Sequence, residues 1–396
     1  MHHPILVVAL AAAIAPIAAH HTGGLRVPVV VFEILLGVLV GPQALNWVEL
    51  GGPLPYLAQM GTAFLFFMAG LEIDFGKMRG TPLRFATLGW LCSLAIALAL
   101  ALALGSAAGG TSRLLVAVAL STTALGIVVP VLRDAEMLDT ELGKLAVACG
   151  TIGELGPILM LGVMLAKEHG VGTQLGFEIL FGVVIVGVMW ASLSIRPPGL
   201  ILILRRTMTK SGQLPIRLSL LLIAVLVVLA EILELDLALG AFAAGMAVGL
   251  ALRDTHNEVL HHKFDAIGFG FLIPTFFVVS GVGLDVRALV SSPKNLLLLV
   301  VYAAALAVVR GLPALLFRRL LRGQELVALG LYSGTSLSLI VAITNAAVSR
   351  GMMARPDAAA LVGGGLVSVL VFPVVATRLV GKSANLRANR REQVGY

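Results

Sequence analysis

The chain has 396 residues, of which 59% are hydrophobic and only 12% are charged, and its mean hydropathy is +1.01. Soluble domains contain about 25% charged residues, so this composition excludes an ordinary soluble protein and places most of the chain in lipid. In a membrane protein the formal net charge of +7 indicates which side of the membrane the loops face, because basic loops lie in the cytoplasm. We therefore predict membrane lipid, and no nucleic acid, as a partner.

Thirteen apolar segments of the sequence are predicted to cross the bilayer, for which about 20 apolar residues in a helix suffice. They are predicted over residues 4–20, 27–45, 54–74, 83–105, 113–132, 143–166, 176–196, 215–233, 236–252, 264–284, 294–317, 324–348 and 358–380. The first is interpreted as a retained span, because it lacks the basic start and the small-residue cleavage site of a signal peptide. The sequence therefore predicts an all-α polytopic membrane protein.

The basic residues are distributed unevenly between the two sides of these spans. Of the 28 Lys and Arg residues, 21 lie in the odd-numbered connections and the C-terminal tail, 6 lie in the even-numbered connections, and Arg310 lies within a span. Since cytoplasmic loops carry an excess of Lys and Arg, we predict an outside N-terminus and a cytoplasmic C-terminus in the cell (plasma or inner) membrane.

Thirteen spans divide into six, one and six, and a single linking span inverts the second six relative to the first. Short motifs recur at the corresponding positions, which are Gly37 and Gly41 with Gly245 and Gly249, Phe66-Phe67 with Phe276-Phe277, and Ser121-Thr122-Thr123 with Thr335-Ser336. The sequence thus predicts inverted six-helix repeats, an architecture of transporters that bind substrate near the bilayer midplane.

Hydroxyl and glycine residues cluster in the middle of spans five and twelve. The clusters contain Thr122 and Thr123 in span five, and Gly334, Thr335 and Ser336 in span twelve. We predict that these two spans are discontinuous helices that cross each other, because unwound turns in transporters expose carbonyl groups to an ion path. The alternative is that the hydroxyls simply bond to carbonyls of their own helices.

A single carboxylate, Glu154, lies in the middle of span six, and the basic residue of that span, Lys144, lies at its start, away from Glu154. A carboxylate near the bilayer midplane costs about 2.5–3.5 kcal/mol, so it indicates a proton or ion site. Pro157 cannot donate to the carbonyl of Gly153, and Thr151 lies one turn back on the same face. These oxygens suit a hard cation, and one carboxylate would hold the proton and the cation in turn.

Arg310 is the one basic residue placed deep in a span, and its cost demands an acidic or carbonyl partner. Glu154 is the nearest chemical match, so we predict that Arg310 serves as its counter-charge. The alternative is an arginine that extends its side chain to the membrane surface.

Several motifs together resemble the monovalent cation:proton antiporter superfamily, in its Kef- and Nap-type, sodium/hydrogen exchanger-like branch. They are Pro28 with Glu33-Ile34-Leu35 and Gly41-Pro42, Gly70-Leu71-Glu72-Ile73-Asp74, Ser121-Thr122-Thr123-Ala124, and Pro274-Thr275-Phe276-Phe277. The resemblance implies a homodimer with an elevator-type mechanism, in which a mobile core slides against a scaffold. It also favours a gating or structural role for Glu33.

The same resemblance implies a division of the chain into alternating parts. Residues 1–76 and 215–292 would form the scaffold and dimer part, and residues 77–170 and 293–382 the core transport part. Residues 171–214 would be a linker helix with a basic loop, and residues 383–396 a cytoplasmic tail. The Kef-type nucleotide-binding regulatory domain is not expected after this tail.

Two positions depart from the family's pattern. Relatives usually have a polar or acidic side chain where this chain has Gly153, and many have lysine where it has Arg310. One carboxylate beside a permanently charged arginine favours one-for-one exchange over a two-proton cycle.

We therefore predict a secondary active antiporter that exchanges Na+ or K+ for H+, with no cofactor beyond the transported ions. The alternative is a sodium-coupled organic anion symporter in which Arg310 binds the anion. An intramembrane enzyme is not predicted, because the spans contain no paired catalytic carboxylates, metal-spaced histidines or activated serine.

Overall fold

The structure is a computed structural model that describes residues 3–21, 27–71, 81–103, 110–165, 170–194, 207, 211–233, 235, 237–252, 258–284, 286–287, 292–321 and 323–394. Within these ranges the regular secondary structure is entirely helical. Most of the predicted basic loop after span seven, at residues 195–206 and 208–210, lies outside the described residues, as do the predicted motif residues Glu72, Ile73 and Asp74.

The described residues of the first half of the chain form eight α-helices. They are α1 (Pro4–His21), α2 (Val29–Val40), α3 (Leu54–Leu71), α4 (Thr81–Ala103), α5 (Gly110–Leu120), α6 (Leu125–Asp134), α7 (Glu141–Leu165) and α8 (Gly170–Ser194).

The described residues of the second half form eight more α-helices. They are α9 (Leu214–Ile232), α10 (Leu237–Leu252), α11 (Glu258–Ile267), α12 (Ile273–Val282), α13 (Pro293–Gly311), α14 (Gln324–Gly334), α15 (Ser338–Ser349) and α16 (Arg355–Val394).

Apolar helices among the described residues overlap each of the thirteen predicted spans. Ten helical stretches among the described residues are long and apolar enough to cross a membrane, and three shorter apolar helices cover Val29–Val40, Ile179–Trp190 and Leu237–Ala251. The three shorter helices occupy predicted spans two, seven and nine. Spans five and twelve are each divided into two helices, α5 with α6 and α14 with α15.

Two further spans contain a turn that is not α-helical, each next to a proline. A π-helical turn, Gly268–Leu272, joins α11 to α12 just before Pro274, and a 3-10 turn, Leu312–Phe317, continues α13 around Pro313. Because proline has no backbone N–H, it leaves a carbonyl four residues earlier without its intrahelical partner. In both turns the hydrogen-bonding pattern therefore changes from α-helical to π or 3-10 near the position where an α-helical hydrogen bond cannot form.

The described chain divides into two compact units. Unit 1 contains residues 1–13, 39–75 and 158–283, and unit 2 contains residues 14–38, 76–157 and 284–396. Within unit 1, α3 packs against α10 through glycines on both helices. A Cβ atom on Gly70 would collide with the Phe242 carbonyl oxygen, and one on Gly245 would collide with the Phe67 carbonyl oxygen. The two backbones are thus in direct contact, which membrane helices achieve with small residues.

Unit 2 is organised by the long helix α16, which packs against α13 and α14. Two glycines of α16 make this packing close. A Cβ atom on Gly364 would lie 2.8 Å from the Tyr302 Cβ atom, and one on Gly365 would lie 2.8 Å from the Ser336 carbonyl oxygen. These glycines therefore let α16 approach the interruption between α14 and α15.

The α3–α10 contact predicts that Gly245→Ala destabilises the protein. One methyl group would have to separate two backbones, and overpacking of this kind costs about 1–3 kcal/mol. The measurement is the thermal unfolding midpoint of the purified protein in detergent, which we expect to fall by several degrees.

The matched control is Gly182→Ala in α8, where no atom lies within 4 Å of the added Cβ atom. Its midpoint should stay the same or rise slightly, because alanine is intrinsically better than glycine in a helix by about 0.5–1 kcal/mol. Equal midpoints for the two variants would contradict the proposed packing constraint.

Candidate functional site

The two interrupted helices of unit 2 meet at their interruptions. Between α5 and α6 the chain is non-helical at Thr122–Ala124, and between α14 and α15 it is non-helical at Thr335–Leu337. The Ala124 N–H donates to the Thr335 carbonyl oxygen at 2.8 Å, and the Thr122 and Ser336 hydroxyls are hydrogen-bonded to each other. The predicted discontinuous pair is therefore present, and its members bond to each other where they unwind.

Hydroxyl groups also bond to carbonyls of their own helices, as the alternative interpretation expected. Thr122 donates to the Ala119 carbonyl oxygen at 2.6 Å, and Thr335 donates to the Leu331 carbonyl oxygen at 3.0 Å. Both interpretations are thus correct, because a hydroxyl that donates its hydrogen still has lone pairs free to accept one.

Ser368 of α16 reinforces the second interruption. Its Oγ atom accepts from the Ser336 N–H at 3.0 Å, and it lies 3.0 Å from the Ser336 carbonyl oxygen and 2.7 Å from the Gly365 carbonyl oxygen. Ser368 was not predicted from the sequence. The one available signal was a serine in an otherwise apolar, glycine-rich span.

The Gly153 carbonyl oxygen is used differently from the expectation. Pro157 was predicted to leave it unpaired beside Glu154 for use by a cation. In the structure it accepts from the Thr123 N–H at 2.9 Å. Pro157 does leave this carbonyl without a partner in its own helix, but the Thr123 N–H of the first interruption binds it instead. Helix α7 is therefore hydrogen-bonded directly to the region where the two interruptions meet, which we call the crossing.

Arg310 of α13 is buried, with 4% of its surface exposed, and its guanidinium joins four parts of unit 2. Nε donates to the Ser333 carbonyl oxygen at 3.2 Å and Nη1 to the Ser93 hydroxyl at 3.1 Å. Nη2 donates to the Thr123 hydroxyl at 2.7 Å and to the Cys149 carbonyl oxygen at 3.2 Å. Helices α4, α7 and α14 and the first interruption are thereby tied to one side chain.

The charge of Arg310 lies at the end of α14, where the Ser333 carbonyl oxygen also accepts from the Thr123 hydroxyl at 2.6 Å. The C-terminal end of a helix carries a partial negative charge, which favours a cation. Arg310 is therefore compensated by a helix end, carbonyls and hydroxyls, and it does not reach the membrane surface.

Glu154 is also buried, with 1% of its surface exposed, but it is not a hydrogen-bond partner of Arg310. Its carboxylate accepts from the Leu125 N–H at the start of α6, while Oε2 has no partner among the described residues. The predicted direct pairing with Arg310 is therefore not formed in this structure. The N-terminal end of α6, which carries a partial positive charge, faces the carboxylate instead.

Gly153 explains how the arginine comes so close to the backbone of α7. A Cβ atom on Gly153 would lie 2.5 Å from Arg310 Nη2 and 2.5 Å from Thr123 Oγ1. Both are shorter than real Cβ contacts allow, so any side chain at this position would displace the guanidinium or the threonine. The missing side chain beside Glu154 thus makes room for the Arg310 hydrogen bonds.

The remaining predicted site residues lie nearby or within the same unit. The Thr151 hydroxyl donates to the Val147 carbonyl oxygen at 2.8 Å. Gly334 is the last residue of α14, and a Cβ atom there would lie 3.1 Å from the Leu306 carbonyl oxygen. Glu33 is a second buried carboxylate, on α2. Sequence reasoning missed Ser93, because a single serine in an apolar span does not reveal an arginine partner.

A family model described as the transmembrane region of sodium/hydrogen exchangers matches residues 9–382 of this chain. The chain belongs to the sodium/hydrogen exchanger family. The match includes both interrupted helices, Glu154 and Arg310.

Two named relatives align over most of the chain. YjbQ of Bacillus subtilis is 28% identical over 401 residues, and antiporter 3 of Methanocaldococcus jannaschii is 26% identical over 368 residues. Their names assign Na(+)/H(+) antiport to both provisionally. These alignments cover 95% and 92% of this chain, but 62% of YjbQ and 93% of the archaeal protein.

The fold of this chain is similar to that of a solved structure. The sodium proton antiporter MjNhaP1 of Methanocaldococcus jannaschii, determined at pH 8, superposes with a TM-score of 0.65 over 97% of each chain. At 16% sequence identity this likeness concerns the fold alone.

The hydrogen bonds of Arg310 predict that Arg310→Lys destabilises the protein. A lysine ammonium has three donors on a flexible chain and lacks the planar fork that reaches several acceptors together. Each buried acceptor left unpaired costs about 1–3 kcal/mol. We expect a clear fall in the thermal unfolding midpoint in detergent.

Arg318→Lys is the control for this prediction, because Arg318 is exposed. Its unfolding midpoint should be within error of the wild type. If Arg310→Lys unfolded at the same temperature as this control, Arg310 could not be holding the crossing together.

Proposed function

We propose that this exchanger moves a monovalent cation, Na+ or K+, across the membrane in return for H+, and that Glu154 binds the two ions in turn. The observation that carries the proposal is the unpartnered Oε2 atom of this buried carboxylate, beside two interrupted helices whose other described polar groups are largely paired. Buried polar groups without a partner are expensive, so they are retained where a ligand completes them. The family and the names of its aligned members support antiport.

The carboxylate provides the competition that antiport requires. The ionised form of Glu154 would be stabilised by the Leu125 N–H and by the N-terminal end of α6. A proton and a hard cation both bind carboxylate oxygen, so occupation by one ion excludes the other. Binding in turn therefore couples the two fluxes without a second carboxylate in the site.

Further cation ligands come from oxygens that keep a lone pair. The hydroxyls of Thr151 and Thr122 donate to carbonyl groups, so their oxygen atoms remain available to a cation. The Gly153 carbonyl oxygen also keeps one lone pair after accepting from Thr123. We propose these oxygens as ligands together with Glu154, and Thr123, Gly334, Thr335 and Ser336 as the residues that shape the crossing.

Arg310 acts in this proposal as a positioning residue and a permanent counter-charge. It would balance the ionised carboxylate through space, while its hydrogen bonds hold the interruptions in place. One carboxylate and one fixed cation favour a one-for-one, electroneutral exchange. Glu33 would then act in gating or in the structure, outside the ion site.

The hydrogen bonds that Arg310 makes with Ser93, Thr123 and Cys149 lie within unit 2, which supports an elevator-type mechanism in which this part of the protein carries the ion. We propose residues 77–170 and 293–382 as the core transport part, and residues 1–76 and 215–292 as the scaffold and dimer part of a homodimer, as the family resemblance implies. We also keep the Kef- and Nap-type branch, the outside N-terminus and the cytoplasmic C-terminus in the cell membrane as proposals that rest on the sequence motifs and the basic residues.

The organic anion symporter is less well supported. It requires Arg310 to offer its N–H groups to a substrate anion. Each of the three guanidinium nitrogens already donates to a protein oxygen. Four of the five N–H groups are used in this way, because Nη2 also donates to the Cys149 carbonyl oxygen. An anion that pairs with two N–H groups would have to displace at least one of these bonds.

The central test is Glu154→Gln in proteoliposomes with an internal pH dye. In the wild type, addition of Na+, K+ or Li+ to vesicles with an imposed pH gradient should move protons, and choline should be silent. Glutamine cannot exchange a proton, so we expect the variant to lose at least about 90% of the response, in line with loss of an essential acid–base group.

The matched control is Glu231→Gln, which removes an exposed carboxylate from α9. This variant should exchange ions at the wild-type rate, and both proteins should reach the vesicles folded, as judged by size-exclusion chromatography. Proton movement that survives in Glu154→Gln would rule out Glu154 as the shared site.

One-for-one exchange gives a second prediction. If one cation leaves for each proton that enters, no net charge moves, and a membrane potential cannot change the driving force. Setting the potential to about −100 mV with a potassium gradient and valinomycin, with Na+ as the exchanged cation, should leave the initial rate unchanged within about 20%. A rate that changes several-fold with potential would indicate a different stoichiometry.

A further inference from the structure

An open groove of about 510 Å³ lies on unit 2, between α4 and the 3-10 turn Leu312–Phe317. Its apolar wall includes Cys92, Ile96, Leu312 and Leu316, and its far end is formed by Arg318 and Arg319. The volume lies within the range of about 300–1,000 Å³ that is usual for small-ligand sites. The groove is separate from Glu154 and Arg310, neither of which lines it.

The groove has a fixed shape because its two sides are packed together below it. The rings of Phe85 and Phe317 lie 5.8 Å apart, and Gly89 of α4 faces the ring of Phe317 and the side chain of Pro313. The 3-10 turn has a different pitch from the α-helix that precedes it, so its leucines point along a different line from those of α13. The result is a cleft beside α4 in place of the even ridge of a continuous helix.

The apolar wall belongs to the lipid-facing surface. Leu312 is 50% exposed and Leu315 is 55% exposed, and both lie in a segment that crosses the membrane. Cys92 is exposed near the middle of α4, so the groove extends well into the hydrocarbon region. This part of the groove fits an acyl chain and offers nothing to a polar solute.

The end of the groove is positively charged. Arg318 and Arg319 follow the 3-10 turn directly, at the boundary of the predicted span. Both side chains are exposed, and neither forms an ion pair with a described acidic residue. Basic side chains at the edge of a transmembrane groove are the usual recognition elements for anionic lipid headgroups.

We propose that this groove binds one anionic glycerophospholipid, with an acyl chain along Cys92, Ile96 and Leu316 and the phosphate on Arg318 and Arg319. The apolar wall and the charged end match the two parts of such a molecule. A zwitterionic lipid would fit the wall equally well but would gain less from the arginines.

The position of the groove connects it to the ion site through adjacent residues. Cys92 lines the groove, while its neighbour Ser93 accepts a hydrogen bond from Arg310. Leu312 lines the groove two residues after Arg310 itself. A bound lipid would therefore touch both elements that hold the arginine, from the side facing the bilayer.

The test is native mass spectrometry of the full chain in detergent with phosphatidylglycerol and phosphatidylcholine of identical acyl chains. We expect one phosphatidylglycerol to be retained with about tenfold preference over phosphatidylcholine, the order expected for two basic side chains near a charged headgroup. The preference should fall below about twofold in Arg318→Gln/Arg319→Gln.

The matched control is Lys294→Gln/Arg355→Gln, which removes two exposed basic side chains elsewhere in unit 2. It has the same net charge as Arg318→Gln/Arg319→Gln. It should keep the wild-type preference. Glycerol 3-phosphate, which carries the phosphate without chains, should not displace the lipid at millimolar concentration. Equal preference in the two double variants, or displacement by glycerol 3-phosphate, would overturn the proposal.

Cys92 gives an independent readout of the acyl chain, because the other cysteine, Cys149, is buried. Phosphatidylglycerol should slow alkylation of Cys92 by N-ethylmaleimide at least threefold in wild type, and much less in Arg318→Gln/Arg319→Gln. The groove-filling variant Ile96→Trp should retain less lipid while unfolding at the wild-type temperature. Alkylation that is insensitive to phosphatidylglycerol would place the lipid elsewhere.

Discussion

The structure depends on one constraint, which is that a helix interrupted inside a membrane must find partners for its backbone groups within the protein. Lipid offers no hydrogen bonds, and each unsatisfied group costs several kcal/mol. Here the two interruptions satisfy each other through Ala124 and Thr335, and Arg310 supplies donors to the carbonyls of Ser333 and Cys149. A buried arginine is expensive by itself, but its several N–H groups match a crossing that is rich in carbonyl and hydroxyl oxygens. The arginine and the interruptions therefore stabilise each other.

Glu154 differs from the other polar residues of the crossing because its hydrogen bonding is incomplete. Most of the polar atoms around it are paired, whereas one carboxylate oxygen has no partner among the described residues. The same helix α7 thus has two different functions at consecutive positions. Gly153 has no side chain, so the Arg310 guanidinium can lie against the backbone of α7. The next residue, Glu154, directs its carboxylate to the Leu125 N–H at the start of α6. A rigid crossing beside an unsatisfied carboxylate is suited to holding an ion that must also be released.

Much of this arrangement could be predicted from the sequence, because membranes make composition and position informative. Hydroxyl and glycine clusters in spans five and twelve indicated the interruptions, and the cost of charge in lipid singled out Glu154 and Arg310. The partner of Arg310 could not be predicted, because carbonyl acceptors are present at every residue and carry no signature in the sequence. Ser93 and Ser368 were missed for a related reason, since most serines in membrane helices bond only to their own backbone. The role of Gly153 required the coordinates, because a glycine alone does not reveal which atom occupies the space it leaves.

The main-chain acceptors of Arg310 have a consequence for how such sites evolve. At Cys149 and Ser333 the arginine contacts the carbonyl oxygen, which every amino acid supplies. Substitutions at these two positions can therefore change the side chain while the hydrogen bond persists. Two homologous exchangers could share this arrangement and yet differ at both positions. Superposition of their backbone structures would therefore identify the site more reliably than alignment of their sequences.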